Sequence, residues 1–296
     1  SHAGLQSTFP QATSTNKLMA IISLRIFHSA IVAAILLLSS AQAAELTLQT
    51  VLDNYRQAIG GAAAIDNVQS VYIEGKTLAT ENTPEMPFKA WYEPAQQRLR
   101  LEYTYLGVPG VVSYDGERGW NVLPVVSNRQ PLPMQGVDLQ QIREQADFYG
   151  PLLTSADDNV KLALLSPQQT DAGELQRVEV TRSFTVPLQT PEQDAAADAT
   201  ATEEITETAV WKLDSTSWLP QVVVSEDRLD DGSTSRLIVR YDDYREVTGP
   251  GGARLVWPHR VASDDGSGET LISELAEIRL NVPLEQVVFD LSADPR

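Results

Sequence analysis

The chain has 296 residues, of which 42% are hydrophobic, and carries 40 acidic against 22 basic residues for a formal net charge of −18. That acidity opposes nucleic acid and anionic bilayer surfaces, which are bound through Lys and Arg. There is no cysteine, so disulfide staples and thiolate metal sites are excluded and the fold must hold by core burial alone.

Residues 1–18 are polar and are set aside as a non-structural upstream segment. From Met19 the pattern is that of a secretory signal: Arg25 supplies the positive start, "SAIVAAILLL" (29–38) the short apolar stretch, and Ala41-Gln42-Ala43 the small-residue cleavage site. The expectation is export to the periplasm, cleavage after Ala43 and a single domain over 44–296. Lys17 and Arg25 precede that site, which leaves 20 basic against 40 acidic residues beyond it. No second apolar stretch of spanning length follows, so no stable membrane insertion is expected after cleavage.

"LTLQTVLDNYRQAIGG" (46–61) has the period of an amphipathic helix. Leu48, Val51, Leu52, Tyr55 and Ile59 form the stripe, Thr47 is placed to cap it, and Gly60-Gly61 to stop it. Residues 62–68 add a further turn. From Ser70 the pattern becomes alternating runs rich in β-branched and aromatic residues: 70–79, 87–94, 97–107 and 110–124. "DLQQIREQADFYGPLL" (138–153) returns to helical spacing, with Asp138 as its cap and Gly150-Pro151 as its end. Strand patterns resume at 160–167, 174–184, 207–229 (with a turn at 214–217), 233–247, 253–263 and 269–281. Residues 186–204, rich in Ala, Asp, Thr and Glu without an aromatic, form an excursion between two strands; its mobile part is 188–204.

Roughly ten strands and two helices without βαβ alternation predict a mainly β, α+β fold. It is a strongly curled antiparallel sheet, an incomplete β-barrel with helices over one face. Within "YDGERGW" (114–120), Asp115-Gly116 fits a two-residue hairpin turn. That register sets Tyr114 opposite Glu117, Ser113 opposite Arg118 and Val111 opposite Trp120. Val111, Trp120 and Val122 then share one face, and Val112, Tyr114 and Leu123 the other. Both faces carry apolar groups. Either helices cover the second face, or the sheet lines a cavity, or the loop is longer and the register differs.

Catalytic chemistry is sparse. Of the three histidines only His259 follows Ala43, and a Ser-His-Asp triad would have to use it although the chain has no G-x-S-x-G. A hydrolase would need a Ser, His259 and an acid to converge in space. The acidic runs 225–233 and 263–269 lack the ligand spacing of an EF-hand and contain Asp-Gly turn pairs. The expectation is a protein that is not an enzyme and holds no cofactor or metal.

A set of segments resembles the LolA-like family of outer-membrane lipoprotein-sorting and carrier proteins, in its broader branch. They are "NYRQAIGGAAAIDNVQSVYIEGK" (54–76), "YDGERGWNVLP" (114–124), "QADFYGPLL" (145–153), "VWKLDSTSWLP" (210–220) and "DYREVTG" (243–249). The resemblance implies a LolA/LolB-like half-barrel with a helical lid and an apolar cavity for acyl chains. It also implies an Arg near the early strands that latches the lid; in "EPAQQRLRLEY" (93–103) Arg98 and Arg100 are the candidates. The ligand-binding aromatics would be Trp91, Tyr103, Tyr105, Trp120, Phe148, Tyr149, Trp211 and Trp218. The partner implied is lipid or an acylated protein as cargo, bound by a monomer that serves as carrier or chaperone in envelope biogenesis, with an envelope protein as a further candidate partner. A non-enzymatic protein-binding or sensory module on the same fold is the alternative, with an exposed sheet edge as its docking element.

Overall fold

The computed structural model describes residues 46–78, 84–123, 130–154, 159–187, 202–228, 234–266, 268–287 and 289–291. The upstream segment expected over 1–18 and the signal expected over 19–43 lie outside them, as does 188–201 of the expected excursion. Residues Thr47–Arg296 form one compact unit. Among the described residues no helix is long and apolar enough to cross a membrane.

Helix α1 (Leu48–Ala58) forms where its stripe predicts, with Thr47 in extended backbone accepting a hydrogen bond from the Thr50 amide at 3.2 Å. Val51, Tyr55 and Ile59 are buried. Gly60 has φ +142, and a Cβ there would stand 2.6 Å from the Arg254 carbonyl. Only glycine lets the helix end come this close to the sheet, where the Val256 amide donates to the Ile59 carbonyl at 2.9 Å. Helix α2 (Ala62–Asp66) adds the expected turn.

One antiparallel sheet follows. Its first half is β1 (Val71–Leu78), β2 (Met86–Glu93), β3 (Arg98–Tyr105), β4 (Val108–Tyr114), β5 (Gly119–Val122) and the short β6 (Leu132–Pro133). Its second half is β7 (Val160–Thr170), β8 (Gly173–Pro187), β9 (Thr202–Asp214), β10 (Pro220–Arg228), β11 (Thr234–Thr248), β12 (Arg254–Asp264) and β13 (Thr270–Leu280). Each half is a meander in chain order, and the β1–β13 pair joins them into thirteen strands with β6 and β7 at the two ends. The sheet is therefore open: no ladder among the described residues pairs its ends. Strands 8 and 9 stay in register as far as Pro187 opposite Thr202, so the loop between them is shorter than the 186–204 excursion expected from composition.

The helix expected at 138–153 is broken in two. Helix α3 (Gly136–Ala146) begins after Gln135 rather than at Asp138, and ends at Asp147. A turn over 147–150 follows, then the short α4 (Pro151–Thr154). The break follows from Gly150-Pro151: the residue before proline is steered away from helical backbone, and Gly150 takes φ 71. Helix α3 touches β3, β4 and β5 near one end of the strand order and β8 near the other.

The core lies between these helices and the inner face of the sheet. Val71, Ile73, Ala90, Leu99, Tyr114 and Leu255 pack with Ile142, Ala146 and Phe148. The hairpin at 114–119 pairs Tyr114 with Gly119, Ser113 with Trp120 and Val111 with Val122. The loop thus has four residues, not two. Asp115 closes it, its carboxylate accepting from the amides of Glu117 at 2.9 Å and Arg118 at 2.7 Å. A register shift of two leaves every side chain on its expected face. Both faces are apolar because both are covered. Helix α3 packs on the Tyr114 side, and on the other the buried Phe289 and Leu291 belong to a C-terminal segment whose Phe289 carbonyl accepts from Ser113 Oγ at 2.6 Å.

Gly119 lets α3 lie close on the sheet: a Cβ there would meet Ile142 at 2.9 Å and Met134 Sδ at 3.0 Å. Gly119→Val is expected to lower stability by about 1–3 kcal/mol through overpacking, read as a fall in the midpoint of urea unfolding followed by tryptophan fluorescence.

Candidate functional site

Helix α3 and the core cluster cover the inner face over β1–β5 more closely than over β8–β12. There, between α1, the end of α3 and the sheet, lies a cavity of about 530 Å³. Its floor follows from the register. Trp211 on β9 lies opposite Val178 and Val223, Ala209 opposite Val180 and Ser225, and Glu207 opposite Arg182. Alternate residues of each strand therefore build one surface. Tyr55 and Ile59 of α1 and Phe148 and Tyr149 of the 147–150 turn close it from above.

Strand β11 adds two tyrosines by breaking its alternation. Tyr241 and Tyr244 are three positions apart and would face opposite ways in a regular strand. Asp243 between them has φ 54, which turns both toward the cavity. Tyr241 stacks on Trp211 with ring centroids 6.5 Å apart. Tyr244 donates its hydroxyl to the Pro220 carbonyl at 2.6 Å. Trp257 on β12 stacks on Phe148 at 4.4 Å, and the Tyr149 hydroxyl donates to the Ile65 carbonyl at 3.2 Å. The rim is polar. Arg182 of β8 forms a salt bridge with Glu144 of α3, and Thr154 Oγ1 donates to the Asp147 carboxylate.

Of the eight aromatics expected to bind ligand, Phe148, Tyr149 and Trp211 line this cavity, and the other five lie elsewhere. Trp91 and Trp120 belong to the outer face. A cross-strand row runs Arg279, Tyr72, Trp91, Arg100, Ser113, Trp120, directed away from the helices. Trp120 is 4% exposed, with the Arg118 guanidinium 5.1 Å from its ring centre. Tyr103 has inner-face parity but its ring covers Gly110. Tyr105 is exposed at a strand end, and Trp218 sits in the β9–β10 turn with φ 60. Sequence reasoning missed Tyr55, Tyr241, Tyr244 and Trp257 as cavity residues. Tyr55 was assigned to the helix stripe, and "YDDYRE" placed two tyrosines around the acidic pair that breaks the strand.

The two arginines expected to latch the lid have outer-face parity, since Leu99 and Leu101 between and beside them pack on the helix side. Arg98 donates to the Asp115 carbonyl at 3.1 Å and to Glu93 at 3.2 Å. Arg100 Nε donates to Glu102 on its own strand at 2.8 Å. The cation that does reach α3 is Arg182, far away in sequence. His259 lies on β12 with Nδ1 3.1 Å from the Trp257 carbonyl.

Three comparisons with known proteins bear on the fold. No family model matches the chain, and no curated protein matches it. Solved structures do. The chain is similar to a DUF1329 family protein from Desulfovibrio piger, at 12% identity and a TM-score of 0.50, over 82% of this chain and 97% of that one. A second neighbour, described as an outer membrane lipoprotein-sorting protein domain from Vibrio parahaemolyticus, matches at 11% identity and a TM-score of 0.49, over 82% and 97%. The likeness to the Desulfovibrio piger protein shows a shared fold. At such identity the likeness fixes the architecture and carries no activity.

Burial raises the pKa of the cavity tyrosines. Tyr241 is pushed up to about 12 by loss of water. Tyr55 and Tyr244 are raised for the same reason first, Tyr55 further by Tyr241 and Asp147 and Tyr244 further by Tyr55 and Tyr241. The unfolded chain titrates near the ordinary value of 10.0, so above it the unfolded state loses protons that the folded state keeps. The stability these groups contribute is present below pH 10 and lost as pH rises toward about 12. Stability measured by urea unfolding should fall as pH rises through that window. Tyr241→Phe should shallow the fall.

Proposed function

We propose that this chain is a periplasmic binding protein that carries a lipid or an acylated, lipoprotein-like cargo in its apolar cavity, without catalysis. The observation that carries the reading is the cavity itself. At about 530 Å³ it falls within the ~300–1,000 Å³ range of small-molecule sites. Its walls are mainly aromatic and aliphatic, with polar groups contributed by α3 and by strands β8–β10, a layout that suits a ligand with an apolar part and a polar head.

A strongly wound half-barrel is supported by arithmetic. Strands β5 and β8 are ten places apart in the sheet order. At about 4.8 Å per strand a flat sheet would separate them by about 48 Å. Helix α3 touches both, yet eleven residues of helix span only about 16 Å. A sheet bent around α3 satisfies both facts, and such bending makes the concave wall that holds the cavity. Export agrees with the leader pattern at 19–43. Among the described residues His259 Nδ1 contacts a backbone carbonyl of its own strand.

The test is titration with an uncharged fluorescent acyl probe. Trp211→Ala removes the ring on the cavity floor and should weaken binding by about 1–3 kcal/mol, or roughly five- to a hundredfold. Trp120→Ala, on the outer face, should lower stability and leave the affinity of the folded protein unchanged. Equal affinity in wild type and Trp211→Ala would remove the cavity from the account.

A further inference from the structure

We infer that the cavity selects amphiphiles with an ammonium-bearing head and disfavours anionic ones such as free fatty acids. The inference rests on the ligand-binding reading above and adds the class of head group. Three carboxylates stand on the cavity wall, Glu144, Asp147 and Glu207, against one guanidinium, Arg182. That guanidinium is already committed: it is bridged to Glu144 and lies opposite Glu207 in the β8–β9 register. An incoming anion would face a wall of net negative charge, and its nearest cation would have to leave a partner. Charges in a partly enclosed site act more strongly on one another than in open water.

The aromatic groups favour the same ligand. Trp211 and Tyr241 stack as one surface, with Tyr244 beside them on the wall, and ring faces attract ammonium groups that come within about 6 Å of their centres. Tyr55 is 4% exposed and lines the cavity. An alkyl chain fits over Ile59, Val180 and Val223. The ammonium could belong to a zwitterionic phospholipid or to a long-chain alkyl amine, which share this chemistry.

Three probes with one chain length decide the matter: dodecyltrimethylammonium, dodecylphosphocholine and dodecyl sulfate, each titrated into the whole folded protein below its micellar concentration by calorimetry. The ammonium probe should bind at least about tenfold more tightly than the sulfate, with the gap narrowing as salt is added. Dodecylphosphocholine matching the ammonium probe would identify a phospholipid head as the source, and its binding weakly would identify a long-chain alkyl amine. Glu207→Gln should narrow the gap by weakening the ammonium probe. Glu144→Gln, which frees Arg182, should narrow it by tightening the sulfate. These opposite routes separate charge selection from general damage, and either variant alone suffices if the other fails to fold. Equal affinity for all three probes, or tighter binding of the sulfate, would overturn the inference while leaving the apolar cavity standing. Failure of all three to bind would overturn the cavity reading as well.

Discussion

Everything in this structure depends on covering one apolar face of a single open sheet. Thirteen strands present an inner face that no second sheet covers, and buried apolar surface is the main stabilising term in a chain without disulfides or a metal cluster among its described residues. The cover consists of short helices, the longest of eleven residues. On the β1–β5 side the cover is close. Ile142 and Leu139 sit almost on Gly119, and the core there is continuous. On the β8–β12 side α3 arrives through a charged pair, Glu144 with Arg182, rather than through apolar packing. The cavity is the space between those two modes of contact.

The same asymmetry sorts the aromatic residues. Tyr72, Trp91 and Trp120 form an outer-face row whose members pack on one another or beneath arginine guanidiniums and strengthen the sheet where the C-terminal segment crosses it. Tyr55, Trp211, Tyr241 and Tyr244 face the helices across the gap. The hydroxyls of Tyr244 and Tyr149 are anchored to backbone carbonyls, which fixes the wall in place before any ligand arrives. Asp243, in left-handed backbone and paired with Arg245, is a small local strain that doubles the tyrosines available to one surface.

Much of the fold was legible in the sequence because its signals are local. The α1 stripe, its Thr47 cap and the Gly60-Gly61 stop are set by neighbouring residues, and the strands follow the alternation of side chains. The hairpin at 114–119 was misread by two residues because the Asp115 side chain closes a longer loop through the amides of Glu117 and Arg118; the faces survived because the slip was even. The cavity was legible only in part, since it is assembled by pairings distant in sequence. Whether Trp91 or Trp211 faces the helices depends on which strands the β1–β13 ladder joins, and no local pattern carries that. Arg98 and Arg100 were misplaced for a reason visible in the sequence. They alternate with Leu99 and Leu101, so leucines packed toward the helices send the arginines the other way.

The central claim is that the uncovered part of the inner face holds an apolar ligand. Native mass spectrometry of the protein recovered from a Gram-negative periplasm, followed by solvent extraction, measures this most directly. The account predicts a bound species close to one per chain that is released into solvent as an acyl-containing molecule, and its loss in Trp211→Ala. A clean mass for the folded protein alone, with no uptake of uncharged acyl probe on titration, would contradict it.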